Sequence, residues 1–232
     1  MSIHDGHRQR MKERYIQEGL DSFTDVQVLE MLLFYVVPRK DTNELAHALL
    51  KEFGALDKVL KATAEELKRV PGVKESVAAY LSLFNSVERY CGIHCRETDT
   101  ILTHVDQYGA YLVPYFCGKK NECVYLLTLD AKCKVLCCKE VGEGSVNSAA
   151  VPIRRIVEMA LAANATSVIL AHNHPSGFAV PSGDDVQTTR RLALALDAVG
   201  IELVDHVVVA EQEFVSMAQS GYYRPEDCRA LV

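Results

Sequence analysis

The sequence predicts an α/β domain preceded by an all-α helical domain. In residues 1–91 the apolar side chains recur at helical spacing. Further along, short β-branched apolar runs alternate with amphipathic stretches, which is the order of elements in an α/β fold. Residues 92–105 show little periodicity and are predicted to form a linker. We therefore expect a helical domain over 1–91 and an α/β domain over 106–232.

The helical domain is predicted to contain five helices separated by breaks at glycine, proline or aspartate, at residues 25–37, 41–53, 56–60, 64–69 and 75–91. Between the last two helices, Pro71 and Gly72 predict a tight turn, and Lys74 follows it. This stretch is similar to a helix-hairpin-helix element, whose exposed N–H groups at a helix start can bind a phosphate. Pro71, Gly72 and Lys74 are therefore candidate DNA contacts. The alternative is a plain packed helical hairpin.

The α/β domain is predicted to contain four strands, at residues 123–129, 134–139, 167–171 and 202–209. Helices are expected at 153–164 and 183–199. The second of these carries apolar residues, among them Val186, Leu192 and Leu196, that can pack on the sheet.

A metal site is predicted where the third strand ends. His172 and His174 are two residues apart, so on an extended strand both side chains point to the same face. Pro175, Gly177 and Pro181 interrupt regular structure, and the chain returns in a helix that carries Asp185. Two imidazoles and one carboxylate suit zinc and leave one position for water, which is the ligand count of a catalytic site. Manganese or iron could use the same ligands.

A structural explanation of part of this motif is also open. Ser182-x-x-Asp185 has the spacing of a capping box, in which the serine caps a helix and the acidic side chain returns a hydrogen bond. His206, next to Asp205 in the last predicted strand, is expected to be a hydrogen-bonded structural histidine rather than a fourth ligand.

The spacing of His172, His174, Ser182 and Asp185 resembles the JAMM signature of the JAB1/MPN metalloproteases. The longer context is similar to the bacterial RadC family, historically called DNA repair proteins, and its matching residues are His172–Gly177, Pro181, Ser182, Asp185, Thr188, Gly144–Asn147 and Asp205–His206. The resemblance covers nearly the whole chain. It implies a mixed sheet flanked by helices, as in cytidine-deaminase-like folds, after a helical region with a hairpin.

The resemblance also implies roles for two further residues. Glu122, which opens the first predicted strand, stands where the family has its proton-transferring glutamate. From the residues alone, Glu140 and Glu143 are equally available. Ser182 stands where the family has a serine that holds the attacking water or the developing oxyanion.

Two positions depart from the family pattern. Arg155 follows the aligned Arg154 where the family has glutamate, which puts activity in doubt if that glutamate orients the site. Lys74 stands where the family hairpin usually has a second glycine, so the hairpin is expected to approach DNA less closely.

Composition excludes several classes of protein. A net charge of −6 over 232 residues argues against broad electrostatic adhesion to nucleic acid. The longest apolar run, residues 31–37, is too short to span a bilayer, and no signal peptide is evident, so a cytoplasmic protein without membrane contact is expected. The eight cysteines include no CxxC pair, which favours reduced thiols.

The leading hypothesis is a zinc metallohydrolase with one Zn²⁺ per chain. His172, His174 and Asp185 would bind the metal, and Glu122 and Ser182 would act on the reacting groups. By resemblance, the partner is a peptide or protein substrate, cut at a peptide or isopeptide bond. One alternative is a DNA-binding repair accessory protein or a metal-dependent nuclease. The other is a non-catalytic scaffold.

Overall fold

The computed structural model describes residues 3–38, 41–94, 99–143 and 152–224. The chain divides into two compact units, Met1–Glu88 and Arg89–Val232. Within the described residues, no helix combines the length and the apolar character needed to cross a membrane.

The first unit is helical, as predicted. Its helices are α1 (Ile3–Glu18), α2 (Asp25–Leu33), α3 (Asn43–Phe53), α4 (Leu56–Lys61), α5 (Ala64–Leu67) and α6 (Glu75–His94), the last of which crosses the boundary between the units. Thr24 and Thr63 close capping boxes at the starts of α2 and α5. The core of this unit is built from fully buried leucines, including Leu29, Leu49 and Leu81.

The second unit is a five-stranded mixed sheet with helices on both faces. Its elements are α7 (Val105–Phe116), β1 (Cys123–Leu129), β2 (Val135–Glu143), α8 (Ile153–Ala162), β3 (Ser167–Asn173), α9 (Gly183–Asp197), β4 (Glu202–Ala210) and β5 (Glu213–Ser216). The strand order is β2-β1-β3-β4-β5. Only the β3–β4 pair is parallel. This architecture confirms the predicted fold class.

Strands β1 and β3 are buried along their whole length, and the two-residue period assigns their side chains to two cores. Val124 and Leu170 belong to the core that includes α8 and α9 residues. Tyr125 and Ile169 belong to the core that includes α7 residues. His172 lies on the same face as Val124 and Leu170, because it is an even number of residues from Leu170 and pairs with Val124. The predicted ligand His172 therefore lies on the sheet face that is covered by α8 and α9.

Helices α1 and α7 and strand β5 lie where no element was predicted. Helix α7 contains Gly109 and Pro114, two residues that usually interrupt a helix. Gly109 is required by packing, because a Cβ atom there would lie 2.1 Å from the ring of Phe214 in β5. Strand β5 has only four residues, too few for a clear alternating pattern.

Candidate metal centre

Three predicted ligands meet where β3 ends and α9 begins. The Nε2 atoms of His172 and His174 are 2.9 Å apart. Asp185 Oδ1 lies 3.3 Å from His172 Nε2, and Asp185 Oδ2 lies 3.6 Å from His174 Nε2. In the described part of the chain, this is the one group of three or more histidine, cysteine or acidic residues arranged to hold a metal ion.

The loop between β3 and α9 brings Asp185 back to the histidines. Gly177 has a φ of +87°, which a residue with a side chain rarely adopts, and its N–H donates to the carbonyl of His174. Pro181 is buried, and Ser182 then starts α9 as its N-cap. The turn therefore places the first turn of α9 beside the end of β3.

Ser182 and Asp185 form the capping box that the sequence left open as an alternative. The Ser182 hydroxyl accepts from the Asp185 N–H at 3.1 Å and donates to Asp185 Oδ2 at 2.6 Å. The Ser182 N–H donates to the same Oδ2 at 2.7 Å. The capping role and the ligand role are compatible, because Oδ1 of Asp185 is still directed at His172.

A chain of hydrogen bonds behind His172 determines which of its nitrogens carries a proton. Thr189 donates its single hydroxyl proton to the carbonyl of Asp185 at 2.6 Å. His206 Nδ1, 2.6 Å from the same hydroxyl oxygen, must then be the donor to it. His206 Nε2 therefore accepts from His172 Nδ1 at 2.8 Å. This leaves a lone pair on His172 Nε2, the atom that faces His174 and Asp185.

His174 is held in the matching state by a backbone carbonyl. Its Nδ1 lies 3.1 Å from the carbonyl oxygen of Phe178, which can only accept. In the neutral ring, Nε2 of His174 is then also a lone pair. Two imidazole lone pairs and the carboxylate of Asp185 thus point at one another from 2.9 to 3.6 Å. A cation between these atoms would offset their mutual repulsion.

Burial determines the charge of the two inner histidines. Desolvation lowers the pKa of His172 to about 4, although the charge of Asp185 acts in the opposite direction. Desolvation also lowers the pKa of the fully buried His206 well below its usual range. Both rings are therefore neutral at pH 7, as the hydrogen-bond chain requires. His206 has the hydrogen-bonded structural position that was expected for it.

Asp205 precedes His206 in β4 and accepts a hydrogen bond from its backbone N–H. Its buried carboxylate accepts hydrogen bonds from the hydroxyls of Tyr108 and Ser216 and from the N–H groups of His206 and Ala218. Burial, together with the hydrogen bond to Asp205, raises the pKa of Tyr108. Because four donors satisfy this carboxylate, its charge is tolerated inside the protein, and β4 is linked to α7 and β5.

Glu122, the predicted proton carrier, precedes β1. The β1–β3 ladder ends at the antiparallel pair Val124–His172. Glu122 is two residues before Val124 and His174 is two residues after His172, so the same register, if extended, would bring Glu122 opposite His174. If the two-residue period continues beyond the end of β1, we expect Glu122 on the sheet face of the two histidines. It is half-buried and lies outside the group of three that could hold a metal. The proton-transfer role of Glu122 stays a prediction, as do the ligand roles and the role of Ser182.

Glu140 is committed to other partners. Its Oε2 accepts from the hydroxyl of Tyr125 at 2.8 Å and from Nζ of Lys119 at 3.0 Å. The hydrogen bonds from Lys119 and Tyr125 lower the pKa of this carboxyl. Tyr125 belongs to the α7 core, on the sheet face opposite to the histidines. This pairing favours Glu122 over Glu140 as the glutamate of the site.

Arg155, which departs from the family pattern, and the aligned Arg154 lie on α8. Arg154 is 92% exposed and donates to Glu158 on the same helix at 2.8 Å. Arg155 is also exposed. Gly144–Asn147, which the sequence shares with the family, lie outside the described residues.

The predicted DNA-binding hairpin lies in the first unit. Helix α5 ends at Leu67 and α6 begins at Glu75, and between them Gly72 turns with a φ of +91°. A cavity of about 590 Å³ beside this turn is lined by Lys74 and also by Asp41 and Glu44. The carboxylates oppose the lysine, so the hairpin does not present a purely basic surface to phosphates. DNA contact through Pro71, Gly72 and Lys74 stays a prediction.

Two supporting residues were not predicted from the sequence. Thr189 lies four residues after Asp185, on the same side of α9, so helical spacing could have identified it. Asn173 is a polar residue in a buried strand, between the two histidines. A polar side chain in such a strand needs a hydrogen-bond partner, and this signal could have identified it.

Comparison with known proteins identifies the family. A family model described as RadC-like JAB domain matches residues 102–222, and one described as UPF0758 N-terminal matches residues 6–79. A UPF0758 protein of Fusobacterium nucleatum is 30% identical over 223 residues, which is 93% of this chain and 96% of that protein. Those of Ruegeria pomeroyi and Alteromonas mediterranea are each 32% identical, over 217 and 214 residues, covering 93% and 92% of this chain and 96% and 95% of those proteins. The chain therefore belongs to the UPF0758 family of proteins with a RadC-like JAB domain.

Proposed function

We propose that this protein is a zinc-dependent hydrolase that cleaves a peptide or isopeptide bond. The observation that carries the proposal is the convergence of two imidazole lone pairs and one carboxylate on a single point. The hydrogen bonds behind them, through His206, Thr189 and the carbonyl of Phe178, aim these atoms at one another. A divalent cation is the partner that we propose for such an arrangement.

The donor set fits zinc. Two neutral imidazoles and a carboxylate are ligands that zinc uses in hydrolytic enzymes, and three protein ligands leave a position for water or substrate. His206, which hydrogen-bonds the distal nitrogen of His172, is the kind of partner that orients a metal-ligating histidine. His172 and Asp185 are almost fully buried, whereas His174 is 16% exposed, so substrate would approach from the side of His174.

The residues divide the chemistry between them. Zinc, when bound, supplies a Lewis acid that polarises a carbonyl and lowers the pKa of water toward neutrality. Glu122, expected on the same sheet face as the ligands, would take a proton from water and deliver it to the departing nitrogen. The Ser182 hydroxyl, which donates to Asp185 here, would rotate to donate to the oxyanion that develops on the carbonyl oxygen. Its N–H would continue to hold Asp185.

The peptide or isopeptide substrate is proposed from the family. The RadC-like JAB domain spans the whole candidate centre, from before Glu122 to after His206. A protein or peptide is therefore the proposed partner, and Zn²⁺ at one ion per chain is the proposed cofactor.

Metal analysis and a cleavage screen test the proposal together. Purified protein should contain about one zinc per chain, and His174→Ala should lose it. Glu122→Gln should keep the zinc and lose cleavage, whereas Glu140→Gln, at the glutamate bound by Lys119, should keep both. Substrates are identified by comparing lysates treated with the parent or with Glu122→Gln, for new amino termini from peptide bonds and for newly freed lysine side chains from isopeptide bonds.

Three results would contradict the proposal in different ways. Protein without zinc after purification and reconstitution would exclude the metal centre. Cleavage by Glu122→Gln at the parental rate would exclude the assigned proton carrier. Stoichiometric zinc without any parent-dependent cleavage would favour the non-catalytic scaffold.

A further inference from the structure

Asn173 lies between the two histidines and contacts the chain on both sides of Glu122. Its Oδ1 accepts from the N–H of Cys123 at 2.7 Å, and its Nδ2 donates to the carbonyl of Asn121 at 3.2 Å. The Asn173 side chain is 5% exposed, so these two hydrogen bonds are largely shielded from water. Its position in β3 turns it away from the face on which His172 and His174 lie.

We propose that Asn173 is a positioning residue that holds Glu122 in place relative to the metal ligands. This inference rests on the function proposed above. The carbonyl of Asn121 belongs to the peptide group before Glu122, and the N–H of Cys123 belongs to the peptide group after it. Holding both peptide planes fixes the Cα of Glu122 and the direction of its side chain, because φ and ψ of one residue relate these two planes.

The β1–β3 ladder does not perform this task. It ends at the Val124–His172 pair, two residues short of Glu122, and the β1–β2 ladder ends at the Cys123–Glu143 pair, one residue short of it. Beyond the Val124–His172 pair, the Asn173 side chain continues the connection, and a second contact from the Cys123 thiol to the Asn121 carbonyl at 3.5 Å supports the same turn. Asn173 is joined by peptide bonds to both histidines, so its side chain links the backbone around Glu122 directly to the segment that carries two of the proposed ligands.

The chemistry of the side chain explains why asparagine stands here. The task needs one acceptor and one donor on the same short side chain, which a carboxamide provides. Aspartate keeps the acceptor and loses the donor. Leucine has the same branching of heavy atoms and loses both. A catalytic group displaced by about 1 Å can lose activity by about 100-fold, so such a clamp has a large effect if Glu122 carries the proton.

A double-mutant cycle on the cobalt-loaded protein tests the inference without a known substrate. Cobalt(II) replaces zinc, and its visible d–d spectrum is recorded from pH 5 to pH 9. The midpoint of the spectral change reports ionisation at the metal, which depends on a carboxylate nearby. The variants are Asn173→Leu and Asn173→Asp, each in the parent and in the Glu122→Gln background. The two variants guard against one failing to fold.

A positioning role predicts that the effect of Asn173 depends on Glu122. Each Asn173 variant should move the midpoint in the parent by at least 0.5 pH unit more than it does in Glu122→Gln, a factor of about 3 in the ionisation constant. The direct charge effect of aspartate occurs in both backgrounds and cancels. Thr128→Val is the matched control, because it removes a buried hydroxyl that pairs with Cys137 near the other end of β1. It should lower stability without moving the midpoint.

The opposing results are distinct from one another. Equal shifts in both backgrounds, or no shift in either, would overturn the positioning role while leaving the metal centre intact. Failure of the parent to bind cobalt would overturn the proposed function itself.

Discussion

Thr189 provides the most specific test of how the candidate centre is prepared for a metal. Its hydroxyl donates to the carbonyl of Asp185 and accepts from Nδ1 of His206. The substitution Thr189→Val keeps the shape and removes both hydrogen bonds. The fully buried His206 then loses the acceptor for its Nδ1 proton.

The expected consequence is a change of tautomer. A neutral His206 without a partner at Nδ1 can move its proton to Nε2, which faces His172 Nδ1 at 2.8 Å. His172 Nδ1 must then accept, its proton moves to Nε2, and the lone pair that would bind a metal is lost. Removing a residue that orients a ligand typically costs 10- to 100-fold in metal affinity, or about 1.4 to 2.8 kcal/mol. We expect Thr189→Val to weaken zinc binding by this factor.

The assay is competition for zinc against a chromophoric chelator at pH 7.5, and the matched control is the adjacent residue. Thr188 is 1% exposed, and its hydroxyl has no hydrogen-bond partner among the described residues. Thr188→Val should therefore leave zinc affinity unchanged. Parental zinc affinity in Thr189→Val, or an equal loss in Thr188→Val, would refute the tautomer argument.

Three further predictions concern packing, metal removal and DNA. Gly109→Ala should lower the free energy of unfolding by about 1 to 3 kcal/mol in urea denaturation, because the new methyl group collides with the ring of Phe214. Gly142→Ala should have little effect, because a methyl group there meets no neighbouring atom. Equal effects of the two substitutions would contradict the packing. A saturating chelator should lower the melting temperature of zinc-loaded protein, since zinc at about 100 times its dissociation constant stabilises the folded state by about 2.7 kcal/mol. The chelator should not change the melting temperature of His174→Ala. An unchanged melting temperature of the parent would argue against the site. Duplex DNA binding by the hairpin should be weak and fall steeply with salt in fluorescence anisotropy, and Lys74→Ala should reduce the slope of log affinity against log salt by about one; salt-insensitive binding would exclude phosphate contacts.

The candidate centre was predictable because most of it is local in sequence. His172, His174 and Asp185 fall within fourteen consecutive residues, and a strand period, a turn and a helix start were enough to bring them together. The relation of Glu122 to this group depends on the pairing of β1 with β3, some fifty residues apart. Strand pairing is not encoded in local periodicity, so only the family resemblance singled out Glu122 in advance.

The elements that escaped prediction have no strong pattern of their own. Helix α1 is mostly polar and buries little besides Met11, while Arg8 donates to the carbonyl of Val37 at 2.8 Å. Helix α7 contains Gly109, a residue that weakens the helical signal in the sequence. The glycine is explained only by the packing of β5, whose Phe214 ring occupies the space of a Cβ atom. In both cases a tertiary contact supplies what the local sequence lacks.

The supporting hydrogen bonds were the least predictable part of the site. The chain from Thr189 through His206 to His172 joins α9, β4 and β3. Each residue alone has an ordinary sequence explanation: a helical threonine and a strand histidine. Their combined effect, which is to choose the protonated nitrogen of a ligand, exists only after the three elements pack.

The central claim is that two imidazoles and one aspartate bind a divalent ion and leave a position open. X-ray absorption spectroscopy at the zinc edge on the reconstituted protein tests it most directly. We expect two imidazole nitrogens and carboxylate oxygen at about 2.0 to 2.2 Å, a further light-atom ligand and no sulfur, with one imidazole lost in His174→Ala. A zinc–sulfur shell at about 2.3 Å, or a spectrum that His174→Ala leaves unchanged, would place the metal elsewhere and contradict the account.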